Sequence, residues 1–216
     1  CQYLLFSATA PGRALDRAGF LDKPKTIKIT DTAVVHPQIE NYYFIVEFRD
    51  KIEMLRKLTK SLPVKKGLVF INRGYDVEAT LEKILHSGIK AGALISHQDK
   101  MVRQKAVMDF TKGKINLLLA TDIAARGLDF PDVDYVFNLD MPEDAKTYLH
   151  RVGRTGRAGK SGIAISFVDS KEIVKFAEIG KKLEVKFMAK KLVQGEMVDF
   201  IVRPPHQRIL RNDLRR

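Results

Sequence analysis

Between residues 41 and 183, short apolar runs alternate with longer segments in which apolar positions recur every three or four residues. The runs NYYFIVEF (41–48), GLVFI (67–71), AGALI (91–95), INLLLAT (115–121), VDYVFNLD (133–140) and GIAISFV (162–168) read as strands. In DKIEMLRKLTKSL (50–62) the stripe Ile52, Leu55, Leu58 and Leu62 predicts a helix with Asp50 as its cap. Further helices are predicted over 75–88, ended by Gly88, and over 99–113, 143–154 and 170–183. Strand alternating with helix predicts an α/β fold: a parallel sheet with helices on both faces. A continuous run such as INLLLA suits a strand buried on both sides. In such sheets ligands gather beyond the carboxyl ends of the strands. The stretches at or near those ends are NRG (72–74), SHQ (96–98), TDIAARGLD (121–129) and, one helix onward, HRVGRTGR (150–157).

The flanks read differently. Residues 1–30 form a separate strand–helix–strand pattern, and 31–40, with Pro37, read as a linker. The main domain is expected over 41–185. Residues 186–216 are expected to hold a helix at 189–200 and a basic tail. The chain opens on CQYLLFSAT, inside what reads as a buried strand, and is therefore expected to be a piece of a longer protein.

Composition narrows the classes. No run approaches the ~18 apolar residues of a membrane span, so no membrane partner is expected. The sole cysteine is Cys1, which excludes an intrachain disulfide and a cysteine zinc site, and no metal site is expected. A cytoplasmic location fits that cysteine usage. The net charge of +12 is uneven: residues 151–216 carry 16 basic against 7 acidic side chains. Such a surplus suits a polyanion, most simply nucleic acid, or a basic surface kept for solubility.

Gly159-Lys160-Ser161 looks like the end of a phosphate loop, but the glycine that loop needs is displaced by Arg154. A helix precedes it and a strand follows, the reverse of the required context. It reads as a turn with a solvated Lys160. Arg151, Arg154 and Arg157 recur every third residue, with glycines beside them and no carboxylate close in sequence. A guanidinium fork matches phosphate oxygens, so the cluster reads as an anion site or as a solvated basic turn. Asp129 could accept from a ribose hydroxyl or act as a cap, and backbone N–H groups near Gly127 could meet a phosphate.

Four stretches, SAT (7–9), VFINRG (69–74), ATDIAARGLD (120–129) and HRVGRTGR (150–157), resemble ordered motifs of the DEAD-box RNA helicases. Related helicases usually carry glutamine where His150 stands, so the histidine points to the DEAD-box branch. The resemblance implies a RecA-like, phosphate-loop-NTPase-like domain, the second of two. ATP and Mg2+ would be held mainly by the first domain, because neither GxxxxGK[ST] nor DEAD occurs in this chain. It further implies that Arg154 and Arg157 reach the phosphates of that ATP. Asp129 would contact the ribose or brace a finger. His150 and Arg151 would bridge to the first domain, and Ser7 and Thr9 would couple hydrolysis to strand separation. Asn72, Arg73, Gly74, Thr121, Asp122 and backbone near Gly127 would face RNA. Arg126 would serve the RNA or the domain interface. In LISHQDKMVR the family's Gln-x-x-Arg pattern keeps Arg103, which implies an RNA-binding role for Arg103, with Lys100 at the glutamine place and His97 as a loop residue.

The expectation is an ATP-dependent RNA helicase that separates short duplexes through sequence-independent backbone contacts, with this part inactive as an ATPase alone. The alternatives are an RNA-binding module that kept the fold, disfavoured by the intact arginines, and a DNA translocase, disfavoured by His150. The arginines at 203, 208, 211, 215 and 216 would anchor RNA or form a soluble end.

Overall fold

The computed structural model describes residues 25, 27, 35–71, 76–95, 98–128, 130, 133–157 and 159–201. Expectations for Ser7, Thr9, Asn72, Arg73, Gly74, His97, Asp129 and the tail arginines lie outside them. The chain divides into two compact units, 1–34 and 35–216, and the fold below is that of the second.

The strands are β1 (Ile39–Ile45), β2 (Gly67–Phe70), β3 (Ala91–Leu94), β4 (Leu117–Ala120), β5 (Tyr135–Asn138), β6 (Gly162–Val168), β7 (Met188–Val193) and β8 (Glu196–Asp199). The helices are α1 (Lys51–Ser61), α2 (Val77–His86), α3 (Lys100–Thr111), α4 (Asp122–Ala125), α5 (Ala145–Val152) and α6 (Ile173–Leu183). The strands form one sheet in the order β3-β4-β2-β5-β6-β1-β7-β8. Every pairing is parallel except the last, β7 with β8.

The pleat sends alternate side chains to opposite faces, and each face has its own core. Val69, Leu117, Leu119, Phe137, Ile165 and Phe167 pack with Leu55 and Leu58 of α1 and Ile84 of α2. On the other face, Leu68, Phe70, Leu118 and Val136 meet Phe110 of α3 and the alanines of α4. Ile39, Ala164 and Val168 meet Tyr148 and Val152 of α5 and Phe176 and Ile179 of α6. Leu55 and Leu58 are fully buried. Burial of that kind contributes ~1.5–3 kcal/mol per side chain, which is why the apolar stripe and not helix propensity fixes α1.

Three expectations are corrected. Asp50 does not cap α1 with its side chain. A 3-10 turn runs into the helix, and the Lys51 N–H already donates to the Phe48 carbonyl. The linker does not extend to residue 40, because β1 begins at Ile39, whose side chain is buried. The helix expected over 189–200 is a β-hairpin. Val193 and Glu196 close a two-residue loop in which Gln194 and Gly195 both have positive φ, 50° and 87°. That pair of angles is the type I′ turn, whose twist matches two antiparallel strands and which no helix accommodates. Among the described residues no helix is long and apolar enough to cross a membrane.

Candidate functional site

The two chemistry-bearing loops meet at the carboxyl ends of β4, β2 and β5. The first leaves β4 at Thr121, whose extended backbone ends the strand and whose Oγ1 accepts from the Ala124 N–H at 3.2 Å. This cap starts α4, which stops after one turn. Gly127 follows with φ 71°, and a Cβ there would meet only open space. Its conformation, not crowding, selects glycine. Arg126 and Gly127 are exposed. Arg103 of α3 donates from Nη2 to the Ala124 carbonyl at 2.8 Å and so holds the end of α4. Lys100, one turn earlier, is exposed.

The second loop follows α5. Asp144 caps that helix, accepting from the Thr147 N–H at 2.7 Å. This bond, chiefly, holds the Asp144 carboxyl below the usual carboxylate range. Tyr148 is buried and donates to Asn41 Oδ1 of β1 at 2.7 Å, and its burial pushes the phenol far upward.

Arg151 lies one turn further on the same inward stripe and is 0% exposed. Its Nε and Nη2 donate to the two carboxylate oxygens of Asp122, each at 2.8 Å. Its Nη1 donates to the Asp140 carbonyl at 2.6 Å and to Asn138 Oδ1 at 3.3 Å. The guanidinium also lies 5.1 Å from the Phe70 ring centroid. The arginine cluster has a carboxylate partner, Asp122, which stands in the other loop and is invisible to a local reading. Arg151, expected to bridge to the first domain, is turned inward, and Asp122, expected to face RNA, is bound to it with its side chain 21% exposed. A buried cation needs such pairing, because its desolvation is costly.

Arg154 is half-buried and donates from Nη1 to the Leu128 carbonyl at 2.6 Å. Arg157 is exposed and donates from Nε to the Gly153 carbonyl at 2.8 Å. Between them Thr155 is buried and donates to the Val133 carbonyl at 2.5 Å. Gly156 has φ 66°, and a Cβ on it would lie 2.6 Å from Ile39 Cγ1. Glycine at this place is therefore required by a left-handed turn packed against β1. Gly159 and Lys160 turn the chain into β6, with the Lys160 N–H donating to the Arg157 carbonyl at 3.1 Å.

His150 is exposed on α5. Its imidazole is held below its ordinary value, by desolvation first and then by the positive charges of Lys146, Arg154 and Arg126, with Asp122 opposing. The structure brings Thr121, Asp122, Arg126, Gly127, His150, Arg151 and Arg154 into one patch. Asn138, Asp140 and Thr155 belong to it too. The sequence reading passed over them, although VFNLD places two polar residues at the end of an apolar strand.

Guanidinium groups and backbone N–H groups fit phosphate oxygens and cannot ligate a divalent cation. Among the described residues no three His, Cys, Asp or Glu side chains stand together as metal ligands.

Residues 50–159 match the family described as the helicase conserved C-terminal domain. Over 208 residues the chain is 34% identical to the DEAD-box ATP-dependent RNA helicase CshC of Bacillus cereus, covering 96% of this chain and 53% of that protein. It thus spans about half the length of that relative. The crystal structure of the E. coli DEAD-box protein SrmB bound to the regulator of ribonuclease activity A is similar, with 33% identity and a TM-score of 0.70. That match covers 79% of this chain and 99% of the other. S. cerevisiae Dbp5 bound to RNA and ADP BeF3 gives 27% identity and a TM-score of 0.76, over 85% of this chain and 50% of that one.

Proposed function

This chain belongs to the helicase conserved C-terminal domain family, in its DEAD-box branch, and on that premise we propose that it is one half of a split ATP site in an RNA helicase. The other half, with the phosphate loop and the Mg2+ ligands, belongs to a separate RecA-like domain. The observation that carries this reading is the two-pronged Arg151–Asp122 pair, which joins the two loops into one patch. One edge of the patch serves ATP and the other serves RNA.

Arg154 and Arg157 act as arginine fingers. Both now rest on backbone carbonyls, of Leu128 and Gly153. A phosphate oxygen is a stronger acceptor than a carbonyl for a cation, so an arriving triphosphate draws them off. As charge develops on the transferred phosphoryl oxygens, the fingers neutralise it, an effect worth ~10³–10⁵ in rate in other nucleotide hydrolases. His150 faces the partner domain as a neutral imidazole. Asp129 contacts the ribose or braces a finger.

Thr121, Arg126 and the backbone at Gly127 face the RNA sugar-phosphate chain, a role shared by Asn72, Arg73 and Gly74. Arg103 supports this surface through α4. Backbone contacts read shape and 2′-hydroxyls, so sequence preference is low. Domain closure on ATP and RNA then bends one strand and parts a short duplex, with Ser7 and Thr9 coupling the two events. A cytoplasmic setting suits this chemistry.

The test is ATP hydrolysis with and without RNA, by this chain and by the full-length protein. The expected result is RNA-stimulated turnover by the full-length protein and none by the chain alone. Turnover by the isolated chain, or RNA binding without turnover by the full-length protein, contradicts the proposal. The second outcome favours a binding module with this fold.

A further inference from the structure

Asn138 ends β5 and is fully buried, between β2 and β6 in the sheet. Its carboxamide joins two groups. Arg151 Nη1 donates to Asn138 Oδ1 at 3.3 Å, and Asn138 Nδ2 donates to Ser166 Oγ at 3.0 Å. A guanidinium only donates, so the amide stands one way round; flipped, it would set N–H against N–H. Ser166, on β6, is also fully buried.

The plane of Arg151 is therefore fixed from three places. Asp122 holds it from α4, the Asp140 carbonyl from just beyond β5, and Asn138 from within the sheet. Asp122 is 21% exposed and lies on the one-turn helix α4. Beside the closer Asp140 carbonyl, Asn138 is the side chain that ties Arg151 to the sheet, through a relay Ser166–Asn138–Arg151–Asp122. The first link crosses from β6 to β5, and the last joins α5 to the loop carrying Arg126 and Gly127. Arg154, three residues past Arg151, donates to that same loop at Leu128.

We infer that Asn138 is a positioning residue for ATP hydrolysis. It fixes the guanidinium plane of Arg151 and, through it, the spacing between the Arg154 loop and the Asp122 loop. This rests on the proposed role of Arg154 as a finger. A purely structural role makes a different prediction. Asn138→Leu removes one partner and leaves Ser166 Oγ and one of the two bonds of Arg151 Nη1 unmatched in the interior, so a purely structural role would lower the melting temperature and leave kcat and Arg151 exchange at the parent values.

Two measurements decide. In this chain, solvent exchange of the Arg151 side-chain Nε–H, followed by 15N NMR, is expected to speed up about tenfold in Asn138→Leu. In the full-length protein, the same substitution is expected to lower the RNA-stimulated kcat about tenfold, the size of one hydrogen bond to a charged group. KM for ATP should stay near the parent value, while the melting temperature falls under either role and does not discriminate between them. Because Asn138 acts through the arginine loop, its loss should add little when Arg154→Ala is already present. Ser166→Ala, a milder change should Asn138→Leu fail to fold, is expected to shift exchange and kcat in the same directions. Parental exchange and kcat in these variants overturn the inference, as does a loss that multiplies fully with that of Arg154→Ala. If the parent full-length protein shows no RNA-stimulated turnover, the finger reading falls on its own. The exchange measurement then decides Asn138 alone, and a parental rate overturns its hold on Arg151.

Discussion

At the scale of single residues, three arginines spaced alike in sequence have three different fates. Arg151 shares a helical stripe with Tyr148 and Val152, both buried, and so faces inward. That stripe was legible in TYLHRVGR, but the sequence alone showed no carboxylate to receive a buried cation. Asp122 lies 29 positions away and meets Arg151 only because β4 and β5 flank β2. The glycines were legible as residues but not as reasons. Gly156→Ala places a side chain in a left-handed turn against Ile39 and is expected to destabilise by ~1–3 kcal/mol. A denaturant midpoint equal to the parent's would contradict that. His150 carries a pH prediction. Its folded value lies below 6.5, so near and below that pH the unfolded chain binds more protons. Stability is complete above pH 6.5 and falls as pH drops from there toward the folded value. Thermal melting of His150→Asn should show a flatter dependence across this window, and an identical pH profile would sink the idea.

At the scale of elements, strand and helix order followed from periodicity because each buried stripe is local. The sites of most helix starts were legible too, since Asp76, Asp99 and Asp144 each accept from N–H groups of the first turn. Asp50 fails because the chain before it is already turning. The hairpin β7–β8 was missed because its apolar positions also fit a helical spacing. The deciding signal is Gln194-Gly195, flanked by cross-strand pairs such as Leu192 with Met197. Lys190 donates to Asp199 across the pair and lies 4.6 Å from the Tyr42 ring centroid. Gln194 pays an L-residue penalty at positive φ, which Asn bears better. Gln194→Asn is expected to raise stability by up to about 1 kcal/mol, and Gly195→Val to lower it by a similar amount. Equal effects of the same sign in urea titrations would contradict the turn assignment.

At the scale of the whole molecule, charge and topology point the same way. A basic surplus in residues 151–216 and a patch of guanidinium and amide donors suit phosphate, whether of a nucleotide or of a nucleic acid. The family was legible from short motifs because arginines, glycines and carboxylates recur in them at fixed spacings. What those motifs did not reveal is the inward brace, since Asn138, Asp140 and Thr155 act through burial and distance. The central claim is a division of labour within one patch, with fingers toward ATP and the α4 loop toward RNA. The most direct test compares Arg154→Ala and Arg126→Ala in the full-length protein, measuring RNA-stimulated kcat and RNA affinity for both. Arg154→Ala should lower kcat about a thousandfold and leave RNA affinity unchanged. Arg126→Ala should weaken RNA binding and flatten its salt dependence. Loss of RNA affinity in Arg154→Ala with kcat intact would contradict the split-site account and reassign the arginine to the RNA.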